Sequence, residues 1–194
     1  MSEPRKGRGA RERILKTVER LFYREGVRAV GVDRVVAESD VAKTTLYAHF
    51  PSKEDLIAAY LEHQHVEALR RLGEGIRQLA QDPRGRILAV FELLDVWFGT
   101  EHFRGCAFTN AGLEMGGESA ETRERVRAHK GEVARFLRTL AEEGQAPDPE
   151  ALAEELMILY EGAITTASLR GGPGPGLLAR RMAMRVLDDT LPRA

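Results

Sequence analysis

Between Lys43 and Lys53 the chain carries side chains suited to holding a polyanion: Lys43, Thr44, Thr45, Tyr47, His49 and Lys53. A threonine hydroxyl hydrogen-bonds base edges or phosphates, and its methyl packs on a thymine methyl. A tyrosine hydroxyl on a rigid ring suits a phosphate oxygen. A lysine in the first turn of a helix adds a full charge to amides that already attract an anion there. Leu46 and Phe50 are four apart and share one side of a short helix, so the polar set faces outward or sideways. Arg34, on the preceding helix, joins the candidate DNA contacts. The competing reading makes Tyr47 a core aromatic and His49 and Lys53 solvated surface groups. Arg5, Lys6, Arg8 and Arg11 read as a basic arm, unstructured in the free protein, that reaches phosphates or the minor groove.

Other chemistries find less support. Cys106 is the only cysteine, cannot pair within the chain, and suits the role of a small apolar filler. His102 stands four residues before it, but two metal ligands without a third make no site, and Gly105 interrupts any helix between them. His63 and His65 are two apart and point in different directions on a helix. There is no HExxH, no nucleophile elbow and no glycine loop between a strand and a helix. An enzyme is therefore not expected, nor a cofactor or metal. Aromatic residues gather between Phe91 and Phe136, most of them for a core. Trp97, Phe98, Phe108 and Tyr160 are the candidates to line an apolar cavity for a small molecule. Glu101, His102, Asn110 or Glu114 would supply its polar contact.

The elements that carry these residues are all helical, with apolar residues recurring at helical spacing and no useful run of alternation. The first helix shows Ile14, Val18, Leu21 and Phe22 on one face, with Gly26 closing it. Val32, Val35 and Val36 mark a short second helix. Ser39-Asp40-Val41 reads as a tight turn, and a third helix runs from about Lys43 to Phe50 until Pro51 stops it. Helix, tight turn, helix is the pattern that docks its second helix in the DNA major groove. Ser52 with Asp55 approximates a capping box for a long fourth helix striped by Ile57, Leu61, Ala68, Leu72, Ile76 and Leu79. Asp82-Pro83 and Asp148-Pro149 open two further helices, and Gly116-Gly117 breaks another. Residues 171–176 alternate glycine and proline and read as a linker before the last helix. About nine helices result. The stripe Leu152, Leu156, Leu159 and Ala163, with Met182 and Val186 across the linker, is expected to form a four-helix dimer interface from two chains.

Composition agrees. With 43% hydrophobic and 30% charged residues the chain belongs with globular proteins rather than disordered ones. No apolar run is long enough to span a bilayer, no secretory signal is evident, and the expected compartment is the cytoplasm. Charge is uneven: residues 1–50 hold eleven Lys/Arg against seven Asp/Glu, while the whole chain nets −1. A basic end on an acidic body suggests that only the N-terminal part meets a polyanion.

The wording Thr45-Leu46-Tyr47-Ala48-His49-Phe50, then Lys53 and Leu56, closely resembles the TetR (tetracycline-repressor-like) family of transcriptional regulators. Phe22, Gly26, Val41 and Tyr47 fit the same pattern, over about residues 10–60. Arg104-Gly105-Cys106 with Asn110-Ala111-Gly112-Leu113-Glu114 resembles one of its subgroups. Asp40 stands where glycine is common, Ala42 and Gly31 where Ser or Thr would cap a helix, and Lys43-Thr44-Thr45 replaces smaller residues; these bear on the operator sequence. The resemblance implies an all-α protein with an N-terminal helix-turn-helix DNA-binding domain over 1–54 and an effector-binding and dimerisation domain over 55–194. The fourth helix, from about residue 53, would link the two and act as a lever. It further implies a homodimeric regulator, most simply a repressor, that binds a palindromic double-stranded operator and is released by a small apolar effector. The alternative is a helical scaffold of the same fold that has lost operator binding.

Overall fold

The computed structural model of the chain describes residues 5–115 and 117–191, the first four of them as backbone. Among these residues are nine helices and no strand. They are α1 (Arg5–Glu25), α2 (Val32–Ser39), α3 (Lys43–His49), α4 (Lys53–Leu79), α5 (Pro83–Phe98), α6 (Ala107–Met115), α7 (Ala120–Glu143), α8 (Pro149–Arg170) and α9 (Pro175–Thr190). They divide into two compact units. One is the stretch up to His65 together with Ala107–Arg127; the other is Val66–Cys106 together with the stretch from Ala128 onward. The helices α4 and α7 each contribute residues to both.

In the first unit α1 packs on α2 and α3. Ile14, Val18, Leu21 and Phe22 of α1, Val35 of α2, Leu46 of α3 and Phe50 just beyond it are buried with Leu56, Ile57, Tyr60 and Leu61 of α4. The Phe22 ring meets Tyr60 edge-on, with centroids 5.6 Å apart. Ser52 and Asp55 form the capping box that opens α4: the Asp55 amide donates to Ser52 Oγ at 3.1 Å, and the Ser52 amide donates to the Asp55 carboxylate at 2.9 Å. The α4 stripe is narrower than its periodicity implies, since Ala68 and Leu79 are exposed. The basic arm is also corrected. The α1 helix begins at Arg5, and Arg11 holds its guanidinium 5.4 Å from the centre of the Phe50 ring. The side chains of Arg5, Lys6 and Arg8 lie outside the described residues, as does Gly116.

In the second unit α5, α8 and α9 pack pairwise. The expected caps form, with Asp82 accepting from the Gly85 amide at 2.8 Å and Asp148 from the Ala151 amide at 3.0 Å. A third cap was not legible. Asp95, buried in α5, accepts from the amides of Gly174, Gly176 and Leu177 at 2.6, 3.0 and 3.3 Å. One carboxylate thereby satisfies three of the orphan donors at the start of α9. A Cβ at Gly176 would stand 2.7 Å from the Asp95 amide and the Phe91 carbonyl, so only glycine lets α9 approach α5 this closely. The glycine-proline segment is thus the joint between α5 and α9.

The expected dimer stripe is corrected as well. Leu152, Leu156 and Ala163 are buried inside the protomer, and Leu159 and Val186 are half-buried. Of that stripe Met182 is exposed, and the other large apolar side chains that α8 and α9 expose are Ile158, Leu169, Leu177 and Leu178.

Removing the Asp95 carboxylate strands three backbone donors at a buried joint. Asp95→Ala is expected to cost about 2 kcal/mol in thermal unfolding, more than Asp82→Ala, whose cap is exposed. Equal melting temperatures for the two variants would remove Asp95 from the joint.

Candidate nucleic-acid interface

The turn between α2 and α3 rests on one residue. Asp40 adopts φ 52° and ψ 50°, the left-handed geometry that aspartate tolerates better than most residues. The departure from glycine therefore keeps the turn. Neither Gly31 nor Ala42 makes a side-chain cap, so α2 and α3 begin on backbone bonds alone, with the Thr45 and Leu46 amides donating to the Ala42 carbonyl at 2.9 and 3.1 Å. What holds α3 is apolar. Leu46 is 0% exposed and Phe50 3% exposed.

That anchoring turns the other face outward. Thr44 is exposed, Tyr47 is 42% exposed and Thr45 is half-buried beside them. His49 is half-buried, its ring 6.5 Å from that of Phe50. The cations of the set are held by internal partners. Lys43 Nζ lies 2.6 Å from the Asp33 carboxylate, which raises its pKa. Arg34 donates through both terminal nitrogens to Glu25 and through Nε to Glu38 at 2.8 Å. Glu25 first and Glu38 second hold its guanidinium above the ordinary range. Lys53 Nζ donates to the Arg28 carbonyl at 3.0 Å, and burial pushes this ammonium below the usual lysine range while Glu54 and Glu114 oppose the shift. Thr44 and Tyr47 thus face outward with Thr45 half-buried beside them, and each of the three cations is held by a partner of its own.

The α1–α2 turn carries a residue that sequence reasoning assigned elsewhere. Gly26 ends α1 at φ 96°, and its amide donates to the Phe22 carbonyl at 3.0 Å. A Cβ there would meet both carboxylate oxygens of Glu114 at 2.7 Å. Glu114 was expected to contact a ligand; it accepts instead from the Arg28 amide at 2.9 Å. Its backbone carbonyl and the Glu118 carboxylate take the Arg28 guanidinium.

The ligand-cavity candidates separate. Trp97 and Phe98 form a cluster with Phe103, which lies 4.9 Å from each. His102 is exposed on a turn, not on a helix face shared with Cys106, and Glu101 is exposed too. Phe108 is buried in the first unit, edge-on to His65 at 6.4 Å. Tyr160 is half-buried in the second unit, and burial first, then Cys106 and Glu161, pushes its hydroxyl up. Next to it Lys130 donates to Glu161 at 2.6 Å and to the Cys106 sulfur at 3.4 Å. Neither Lys130 nor Glu161 is among the residues that the sequence singles out. The signal for Lys130 was its register, since it falls on the Val126, Val133 and Leu137 face. Among the described residues no group of His, Cys, Asp and Glu has the arrangement of a metal site. None of the helices is long and apolar enough to cross a membrane.

Comparison with known proteins matches residues 14–60 to the family described as bacterial regulatory proteins, tetR family, and residues 83–183 to the tetracyclin repressor-like C-terminal domain. The transcriptional regulator AcuR of Cereibacter sphaeroides is 26% identical over 89% of this chain and 86% of its own. SCO4454, a TetR-family transcriptional regulator from Streptomyces coelicolor, is 30% identical and superposes with a TM-score of 0.80 over 94% of each chain. A TetR transcriptional regulator from Chloroflexus aurantiacus, 25% identical, superposes at 0.84 over 97% of this chain and 100% of its own.

The contrast between Tyr47 and Phe50 is directly measurable. Phe50→Ala opens a cavity and is expected to cost about 3–5 kcal/mol of stability. Tyr47→Ala should leave the melting temperature unchanged and weaken binding to duplex DNA. A destabilised Tyr47→Ala variant would return that residue to the core.

Proposed function

The chain belongs to the TetR family of bacterial transcriptional regulators, and on that premise we propose that it is a repressor, binding a palindromic operator as a homodimer and releasing it when a small apolar molecule occupies the second unit. The observation that carries the reading is the split of α3 into a buried side, Leu46 and Phe50, and an outward row, Thr44, Thr45 and Tyr47. A helix so divided presents the row to the major groove. Thr44 and Thr45 read base edges, Tyr47 and His49 take phosphate oxygens, and Lys43 and Lys53 supply charge. Arg34 joins them through whatever hydrogen-bonding capacity its two glutamates leave.

The dimer reading is supported by the outward face of α8. Ile158, Gly162, Thr165 and Leu169 follow one another at helical spacing on that face, and a Cβ at Gly162 would meet nothing within 4 Å. A glycine in mid-helix costs stability in the monomer, so an open, small position between two exposed apolar side chains suits close approach of a second helix. Leu178 and Met182 of α9 extend the same character. The effector reading is supported by the Trp97, Phe98 and Phe103 cluster and by the half-buried Lys130–Glu161 pair with Tyr160, all in the second unit. Apolar walls with a few convergent polar groups are the usual composition of a ligand site.

A gel shift on the DNA upstream of the chain's own reading frame, with and without competitor, tests the reading. A sequence-specific complex is expected, with log affinity falling linearly against log salt. Equal affinity for all sequences, or none, would favour the scaffold alternative. Ile158→Glu should sediment as a monomer and bind the operator at least about tenfold more weakly, because a lone half-site forfeits the contacts of its partner. A dimeric Ile158→Glu that binds as the wild type does would move the interface elsewhere. Trp97 is the only tryptophan, so its fluorescence reports an apolar ligand in the second unit. Ligands that shift it should lower operator affinity by roughly 5–150-fold, and operator should weaken them by the same factor.

A further inference from the structure

We propose that Glu114, at the end of α6, is a positioning residue for operator binding that acts through Arg28 on Lys53. The inference rests on the regulator reading above. By sequence Glu114 lies in the segment matched to the C-terminal family domain, far outside residues 14–60. By contact it belongs to the DNA-binding unit.

Three observations converge on the α1–α2 turn. The Glu114 carboxylate accepts the Arg28 amide at 2.9 Å. The Arg28 carbonyl accepts from Lys53 Nζ at 3.0 Å. Gly26 has no side chain where a Cβ would stand 2.7 Å from both Glu114 oxygens, so a side chain there would displace the carboxylate from the turn. The Arg28 guanidinium is held from the same side by the Glu114 carbonyl and by Glu118.

The physical consequence follows from the free path of Lys53. A lysine side chain has four rotatable carbons and no preferred direction of its own. One of its three donors is spent on the Arg28 carbonyl, which fixes where the ammonium sits while leaving two donors for a phosphate. That carbonyl belongs to an exposed turn outside any helix. The Arg28 N–H and carbonyl lie in successive peptide planes joined at its Cα, so the carboxylate that holds the N–H, with the two acceptors that hold the guanidinium, restrains the residue from which the carbonyl projects. Glu114 touches no nucleic acid in this arrangement. It sets the place from which Lys53 reaches one.

The test is a double-mutant cycle on the full chain, read by anisotropy with a fluorescein-labelled duplex of the upstream operator across a salt series. Lys53→Ala should weaken binding and flatten the slope of log affinity against log salt by about one unit, as loss of one phosphate contact does. Glu114→Ala should weaken binding by about tenfold and flatten the slope in the same way, although it removes a negative charge. The pair together should be no weaker than about twofold below Lys53→Ala alone, because both remove the same contact. Glu114→Gln keeps an oxygen that accepts the Arg28 amide, and should stay within about threefold of the wild type with its slope restored. Thermal melting of Glu114→Gln checks that the fold is intact.

An unchanged slope in Glu114→Ala, or losses that multiply in the double variant, would overturn the proposal while leaving the regulator reading in place. Stronger binding by Glu114→Ala would also overturn it, since that is the result expected of a carboxylate that merely repels phosphate. A wild type that bound no upstream duplex would remove the regulator reading and the proposal with it.

Discussion

A seven-residue helix without a side-chain cap at its start cannot hold its own place in water. Burial of Leu46 and Phe50 supplies what the helix lacks, and the arrangement around α3 depends on that burial. Because these two are 0% and 3% exposed, the residues between and before them are left exposed or half-buried. The surface of α3 is therefore a consequence of its core. The same anchoring explains why the replacements at the helix starts are tolerated: Gly31 and Ala42 contribute no cap, but the ends they leave uncapped are exposed to water, which can hydrogen-bond the free amides.

The cations of the candidate set are pre-positioned by acidic partners and a backbone carbonyl. Lys43 rests on Asp33, Arg34 on Glu25 and Glu38, and Lys53 on the Arg28 carbonyl. Exposed pairs of this kind contribute little to stability. Their effect is on placement, because each limits the directions from which a long side chain can meet a phosphate. The first unit also draws in a segment remote in sequence. Residues 107–127 pack with the helix-turn-helix, with Glu114 at the α1–α2 turn, Phe108 against His65 and Val126 facing Gly112.

Much of this was legible from the residues alone, and the reasons are local. Helix starts at Ser52, Asp82 and Asp148 announce themselves through capping chemistry that acts within three residues. The α3 surface was legible because Leu46 and Phe50 fix one face and leave the rest. What was not legible depends on partners distant in the chain. Asp95 looks like any helical aspartate until Gly174, Gly176 and Leu177, about eighty residues on, bring their amides to it. Glu114 looked like a ligand contact because its partner at Arg28 is 86 residues away. Periodicity on α8 found an apolar stripe correctly but could not say which of two neighbours it meets. Leu152 and Leu156 face the protomer core, while Ile158 and Leu169, off that stripe, face outward. Lys130 was missed for the opposite reason, since a charge in register with Val126, Val133 and Leu137 was a signal within reach of the sequence.

Hydrogen exchange of the full chain with and without saturating upstream duplex tests most directly whether the outward face of α3 meets DNA. The expected result is slowed exchange of amides concentrated in residues 43–53, from α3 through the first residue of α4, with α5, α8 and α9 little changed. Unchanged exchange across 43–53 at saturation, with slowing confined to other helices, would contradict it.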